Sequence, residues 1–132
     1  MGLLKRIFGI CETKPPADPG CWDHRDGKVT IDLRRTPELN PPHGAIRLEG
    51  RGLPDRLMIY HDPRGGYTAI KNKCTHMGRR IDPLAGTDNF RCCSVSKTTY
   101  SSKGDVLSGP GKEPLTLLRL EVMDQRLVVS TR

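Results

Sequence analysis

Residues 73–114, KCTHMGRRIDPLAGTDNFRCCSVSKTTYSSKGDVLSGPGKEP, hold three of the chain's five cysteines and one of its four histidines. Cys74 and His76 are separated by one residue, so in an extended or turning segment a thiolate and an imidazole leave the chain close to each other. A further cysteine follows at Cys93, and the GDVLSGPG run beyond it is rich in tight-turn residues. This combination is typical of a metal-binding segment built from loops.

The order of these residues resembles the Rieske iron-sulfur domain. In that family C-x-H-x-G is followed by C-x-x-H, an aromatic residue, a glycine and a Gly-Pro loop, and two cysteines bind one iron while two histidines bind the other. Here CTHMG supplies the first motif, Tyr100 matches the aromatic residue, Gly104 the glycine and SGPG at 108–111 the loop. This alignment puts the second cysteine ligand at Cys93, and the resemblance covers about residues 71–118.

The resemblance implies a [2Fe-2S] cluster with Cys74 and Cys93 on one iron and His76 on the other. The position of the family's second histidine is occupied by Ser96. Because a serine hydroxyl must lose its proton to bind iron strongly, it is a poorer neutral donor than imidazole. The fourth ligand is then Ser96 itself, Cys92, or absent. Neighbouring residues of a strand point to opposite faces, so we expect Cys92 to be a small buried apolar residue on the other side.

Two further pairs of positions bear on the resemblance. Gly109 and Pro110 match the loop that shields the cluster in this family. The branch that works in membrane complexes carries an extra cysteine after each ligand pair, and these two cysteines form a disulfide. The corresponding residues here are Arg79 and Val95. The chain therefore resembles the soluble, ferredoxin-like branch.

Composition and alternation predict an all-β fold. The 132 residues include 14 glycines and 11 prolines, which indicates many turns between short strands. We expect a Rieske-like antiparallel β sandwich or barrel with a small cluster-binding subdomain of hairpin loops and an N-terminal helix or arm. Strands are predicted at 28–33, 45–49, 56–61, 66–71, 90–93, 97–101, 116–122 and 126–130. The last two alternate only in part, so at least one of them should be buried on both faces.

The N-terminal region differs from the rest. Residues 2–10 carry apolar side chains at helical spacing, and 12–27 are rich in proline, which predicts an irregular arm with Trp22 packed onto the barrel. We therefore divide the chain into an arm at 1–27 and a Rieske-like domain at 28–132, with the cluster-binding subdomain at about 72–113. The apolar segment is too short to span a membrane and lacks a signal-peptide cleavage site, so we expect a cytoplasmic protein. A weak interfacial anchor is the less favoured alternative.

The formal net charge of +7 is concentrated near the predicted site. The stretch 71–103 contains seven basic residues and two acidic ones, Asp82 and Asp88, so it has an excess of five positive charges. Such a collar would steer an acidic redox partner to the cluster, or would form a solvated face that balances an anionic cluster. Nucleic-acid binding is disfavoured because aromatic residues are 5% of the chain and the stretch 71–103 has only Phe90 and Tyr100.

Three functions are consistent with the sequence. The first is a one-electron carrier with an atypical fourth ligand, serving an oxidoreductase. The second is a degenerate Rieske fold that has lost its cluster and acts as a binding or assembly module. The third is a mononuclear zinc site of Cys74, His76 and Cys93, completed by water or Ser96. No nucleophile–base pair, phosphate loop or catalytic carboxylate pair stands out, so we do not expect an enzyme in its own right.

Overall fold

Three antiparallel sheets of four strands each, with short 3-10 helices at Pro19–Cys21, Leu33–Arg35 and Pro37–Leu39, are the regular structure in the part of the chain that the structure describes. The structure is a computed structural model, and it describes residues 12–75, 78–92, 98–109 and 112–131. The strands are β1 Trp22–Arg25, β2 Lys28–Asp32, β3 Ala45–Leu48, β4 Leu57–His61, β5 Tyr67–Lys71, β6 Ile81–Pro83, β7 Phe90–Cys92, β8 Thr99–Tyr100, β9 Val106–Ser108, β10 Leu117–Leu118, β11 Leu120–Met123 and β12 Arg126–Ser130. Sheet 1 has the order β1-β2-β12-β11, sheet 2 the order β10-β5-β4-β3, and sheet 3 the order β6-β7-β8-β9.

Sheets 1 and 2 form a sandwich, which confirms the predicted fold class. Inward-facing residues of β2 and β12 in sheet 1 pack against inward-facing residues of β3, β4 and β5 in sheet 2. The buried residues of this first core include Val29, Ile31, Val129, Ile46 and Ile59, each fully buried. Alternate positions of β2 and β12 are partly open, as expected for strands with one face toward the core. The helix predicted within 2–10 lies outside the described residues.

Sheet 2 is the middle layer because its strand β4 is buried on both faces. The continuous apolar run of β4 puts Leu57 and Ile59 into the first core, and Met58 and Tyr60 into a second core shared with sheet 3. The Tyr60 ring meets the Phe90 ring of sheet 3 edge-on, with centroids 4.9 Å apart. The prediction that one of the last two strands is buried on both faces is wrong.

Those last two predicted strands also divide differently from the prediction. The stretch 116–122 breaks at Arg119, so that β10 joins sheet 2 and β11 joins sheet 1. Both sides of the break contribute to the sandwich, since Leu118 and Leu120 pack against the first core. One continuous apolar run thus serves two sheets, which periodicity alone does not reveal.

Three short strands were missed. The prediction of an irregular arm over 12–27 is wrong for β1, which pairs with β2 through a two-residue turn of Asp26 and Gly27, both with positive φ. An Asp-Gly pair is a strong hairpin signal, but here it ends a proline-rich stretch, which is more typical of irregular chain. β6 and β9 lie where connections were predicted, in segments that begin or end beside proline or glycine. The predicted boundary between 27 and 28 falls inside the β1–β2 hairpin.

Trp22 is buried, as predicted, at 7% exposure. The Arg51 guanidinium lies 4.1 Å from the centre of the Trp22 ring and also donates to the Trp22 carbonyl. The chain before it lies across sheets 2 and 3. The Arg47 amide donates to the Lys14 carbonyl at 3.0 Å, and the carboxylate of Asp82 accepts from the Thr13 amide at 2.9 Å. No helix among the described residues is long and apolar enough to cross a membrane.

Candidate metal centre

The first predicted ligand, Cys74, lies in the connection between β5 and β6. This connection runs from residue 72 to 80, and hydrogen bonds within it hold it as a closed turn. The Cys74 amide donates to the Arg79 carbonyl at 2.6 Å, and the Gly78 amide donates to the Cys74 carbonyl at 2.9 Å. Cys74 is 1% exposed, so its thiol is shielded from bulk water. His76 lies outside the described residues.

Tyr100 links this ligand loop to sheet 3. Its hydroxyl lies 3.5 Å from Cys74 Sγ and 2.8 Å from Thr75 Oγ1, and it accepts a hydrogen bond from the Thr75 amide at 3.0 Å. Burial, together with the contact to Cys74, raises the pKa of Tyr100 to about 12. The phenol therefore keeps its proton at neutral pH and can donate it toward the sulfur. The resemblance had given Tyr100 only as an aligned aromatic residue, and its contact with Cys74 comes from the fold.

The second ligand loop is set by the pairing of β7 with β8. Phe90 lies opposite Tyr100 and Arg91 opposite Thr99, and the Cys92 amide donates to the Thr98 carbonyl at 2.9 Å. This last hydrogen bond joins the two residues that flank 93–97, the predicted second ligand loop, which contains Cys93 and Ser96. Both of these residues lie outside the described residues, so their assignment as ligands stays a prediction.

Cys92 is buried in the second core, as the sequence predicted. It is 1% exposed and shares its strand face with Phe90, since β7 alternates buried, intermediate and buried along Phe90–Cys92. The thiol thus lies among the apolar side chains between sheets 2 and 3, the core to which Cys74 also belongs. Its role as an alternative ligand stays a prediction.

The third loop meets the second at Gly109. A Cβ added to Gly109 would lie 2.5 Å from the Thr98 Cα, and the glycine has φ +97°, which side-chain-bearing residues rarely adopt. The described part of the Gly-Pro loop therefore packs on the residue that follows loop 93–97. Pro110 lies outside the described residues.

Partners from the sandwich reduce the predicted basic collar. Arg80 forms a two-pronged ion pair with Glu49, at 2.6 and 2.9 Å, and this pair holds the pKa of the Glu49 carboxyl below its usual range. The Lys71 Nζ atom lies 3.6 Å from Asp55 Oδ1, which forms a second ion pair. Charges paired in this way attract a partner less than the count along the sequence implies.

Sequence reasoning missed one basic residue that contacts the first ligand loop. Arg56 precedes β4, far from the motif in sequence, and its guanidinium donates to two carbonyls of the 72–80 connection. No local pattern around Arg56 signals this contact. Two histidines outside the motif are engaged elsewhere: His43 Nδ1 lies 2.9 Å from the Tyr60 hydroxyl, and His61 Nδ1 lies 2.8 Å from the Leu39 carbonyl.

The described side of the site fits an iron-sulfur cluster. A buried cysteine with a protonated phenol beside its sulfur is a suitable thiolate ligand, because hydrogen bonds to the sulfurs and exclusion of water tune such clusters. The pairing of β7 with β8 also places Cys92 and Thr98, which flank residues 93–97, in the same sheet as Tyr100, the residue that contacts the first ligand loop.

Comparison with known sequences points to one family. Residues 34–129 match the family model described as "Rieske [2Fe-2S] domain". The chain is 27% identical over 104 residues to the cytochrome b6-f complex iron-sulfur subunit of Chlorobaculum tepidum, covering 78% of this chain and 55% of that protein. It is 30% identical over 80 residues to iron-sulfur subunit 2 of the same kind of complex in Trichormus variabilis, covering 61% of this chain and 44% of that protein. The chain thus spans about half the length of these relatives.

Solved structures agree on the fold. The cyanobacterial plasma membrane Rieske protein PetC3 from Synechocystis PCC 6803 superposes with a TM-score of 0.55 at 21% identity, covering 64% of this chain and 85% of that one. The ferredoxin of carbazole 1,9a-dioxygenase from Nocardioides aromaticivorans IC177 superposes with a TM-score of 0.58 at 18% identity, covering 70% of this chain and 88% of that one. By its matched family model, its relatives and its three-sheet fold, the chain belongs to the Rieske [2Fe-2S] domain family.

Proposed function

We propose that the protein is a one-electron carrier of the ferredoxin type, which holds a [2Fe-2S] cluster through Cys74 and Cys93 on one iron and His76 on the other. The observation that carries the proposal is the Cys74–Tyr100 contact, in which a buried thiol lies 3.5 Å from a buried phenol inside a closed loop. A cluster of this kind supplies a reversible one-electron couple when bound.

Ser96 is the proposed fourth ligand, as an alkoxide. Its position in loop 93–97 matches the family's second histidine. The alternative ligand Cys92 is less well supported, because neighbouring residues of a strand point to opposite faces, so Cys92 and Cys93 could bind one cluster only across a bulge or turn. An anionic oxygen in place of a neutral imidazole adds negative charge, so the potential is expected to fall below the usual Rieske range, toward that of all-cysteine ferredoxins.

The chain's own residues then have defined tasks. Tyr100 donates toward the Cys74 sulfur and fixes the first ligand loop through Thr75. Gly109 allows the third loop to pack on Thr98, and the family resemblance assigns Gly109 and Pro110 the task of shielding the cluster. The buried second core keeps water from the Cys74 side, which limits hydrolysis of the iron-sulfur bonds.

The partner is proposed to be a redox protein with an acidic docking surface, so that this chain serves an oxidoreductase as its electron-transfer component. Support comes from the charge excess around the site that remains after Arg80 and Lys71 are paired. Such steering predicts an association rate that falls steeply as salt is added.

The test is a UV-visible spectrum with iron, sulfide and zinc analysis on protein purified without oxygen. The proposal predicts charge-transfer bands with about two irons and about two acid-labile sulfides per chain, lost in Cys93→Ala. About one zinc per chain without sulfide would instead indicate the mononuclear site. A colourless, metal-free protein after anaerobic reconstitution would identify a binding module that keeps the scaffold alone.

A further inference from the structure

Arg56 contacts the first ligand loop on both sides of its CTH segment. It lies just before β4 in sheet 2, and its guanidinium spans the connection that carries Cys74. The Nη2 group donates to the Gly78 carbonyl at 2.7 Å, and Nε donates to the Asn72 carbonyl at 3.2 Å. Asn72 and Gly78 flank the CTH segment of the motif on its two sides. A planar guanidinium can bridge two carbonyls in a way that the single ammonium of lysine cannot.

The same two residues are tied by further hydrogen bonds. The Asn72 amide donates to the Arg56 carbonyl at 2.8 Å, so the backbone and the side chain of Arg56 both bind Asn72. The Asn72 side-chain oxygen accepts from the Ile81 amide at 2.7 Å, which joins the first residue of the loop to the first residue of β6. Asn72 is 1% exposed, so these bonds are shielded from water and hold the loop closed more firmly than surface bonds would.

We propose that Arg56 is a positioning residue for the cluster: its guanidinium fixes the separation of Asn72 and Gly78, and with it the placement of the intervening ligand residues. Its permanent positive charge beside the loop also favours the reduced, more negative state. The proposal rests on the proposed function for its redox consequence, but its structural part concerns the loop itself. No ion pair to Arg56 is present among the described residues, but its charge also acts on Glu49, whose carboxyl pKa is lowered mainly by Arg80 and more weakly by Arg47 and Arg56.

Two substitutions separate geometry from charge. Arg56→Gln removes both, whereas Arg56→Lys keeps the charge and loses the bridge. The matched control is Arg34→Gln, because Arg34 follows β2 of sheet 1 and its guanidinium forms an ion pair with Asp32 at the end of that strand. A cooperative thermal unfolding transition shows that a variant is folded. If Arg56→Gln does not fold, Arg56→Lys is used for the measurements below.

Three readouts follow on the anaerobically prepared holoprotein. Both Arg56 variants are expected to bleach several-fold faster than wild type in the presence of a chelator, and to broaden the EPR signal of the reduced cluster. Arg56→Gln is expected to have a lower potential than Arg56→Lys, since only the latter retains the charge. The control should match wild type in all three. Wild-type bleaching, EPR spectrum and potential in Arg56→Gln would overturn the proposal.

Hydrogen exchange keeps the two proposals distinguishable. The Cys74 and Gly78 amides are hydrogen-bonded within the loop, and Arg56→Gln should speed their exchange at least several-fold even in protein without a cluster. If wild-type protein holds no cluster but these amides exchange faster in the variant, the positioning role stands and the proposed electron-carrier function fails. Unchanged exchange at both amides would overturn the positioning role itself.

Discussion

Tyr100 is the residue through which sheet 3 acts on the first ligand. Its hydroxyl accepts from the Thr75 amide, so its own proton is available to Thr75 Oγ1 or Cys74 Sγ. Because its pKa is raised to about 12, the proton stays in place across the physiological range. A hydrogen bond to a ligand sulfur stabilises the reduced cluster more than the oxidised one, because the sulfur carries more negative charge after reduction.

Replacing Tyr100 by phenylalanine should therefore lower the potential of the cluster. If the bond contributes about 1 kcal/mol in favour of the reduced state, the change for a one-electron couple is about 40 mV. Protein-film voltammetry of Tyr100→Phe measures the change. The control is Tyr60→Phe, a buried tyrosine whose hydroxyl contacts His43 instead of the ligand loop. A potential equal to that of wild type would show that the phenol does not donate to the sulfur.

Ser96 allows a test in the opposite direction. The Ser96→His variant restores the family's C-x-x-H pattern, so we expect it to retain its cluster longer in air and to shift its potential upward toward about −150 to +300 mV. Ser94→His is the matched control, because it adds an imidazole to the same loop at a position that the family pattern does not use. Equal retention in both variants would contradict the alignment of Ser96 with the second histidine.

At the scale of the elements, loops between short strands build the site, and Gly109 controls how closely two of them approach. Glycine is favoured at this position for two separate reasons: its φ is +97°, and an added Cβ would collide with Thr98. Gly86 in the turn between β6 and β7 has a similar φ of +79°, but a Cβ there would meet nothing within 4 Å. The two positions therefore separate backbone strain from steric clash.

Gly86→Ala should cost about 1–2 kcal/mol of unfolding free energy from the left-handed backbone alone. Gly109→Ala should cost a further amount on the order of 1–3 kcal/mol, because its methyl group collides with Thr98. Urea denaturation of both variants measures the difference. The Gly109 variant should also bleach faster, since the third loop is displaced. Equal destabilisation would mean that the third loop yields without cost.

How far the sequence predicts these elements depends on their length and pairing. Strands β2, β4, β5 and β12 were predicted within one or two residues, because their alternating or continuous apolar runs are long enough to read. β6 and β9 are each three residues long and depend on neighbours in sheet 3, so no periodicity could reveal them. The ligand set Cys74, His76, Cys93 and Ser96 comes from the family resemblance and stays a prediction, whereas the contacts of Cys74 with Tyr100 and the Arg79 carbonyl come from the fold.

At the scale of the whole molecule, polar contacts fix sheet 3 to the sandwich. Arg80 pairs with Glu49 across 31 positions of sequence, and Arg64 donates to Ser102 at 2.5 Å across 38. Such contacts join residues that no local pattern associates, and for this reason Arg56 and Glu49 were not predicted as parts of the site. They should hold the cluster at a constant place relative to the sandwich during electron transfer.

The second core gives the molecule a specific response to alkali. Burial raises the pKa of both Tyr60 and Tyr100 from 10.0 to about 12, and both lie in this core. Because the folded pKa values lie above the unfolded ones, the resulting stability is fully present below about pH 10 and is lost as the pH rises through about 12. Urea midpoints measured from pH 9 to 12 should fall across this window, and the fall should be shallower in Tyr60→Phe. An identical slope in that variant would contradict the burial of the phenol.

Reductive titration of the anaerobically purified protein, followed by EPR, tests the electron-carrier function most directly. The proposed function predicts uptake of about one electron for every two irons, with a paramagnetic signal that appears on reduction and disappears on reoxidation. Iron-free protein that takes up no electrons, or bound metal that gives no signal in either state, would contradict it.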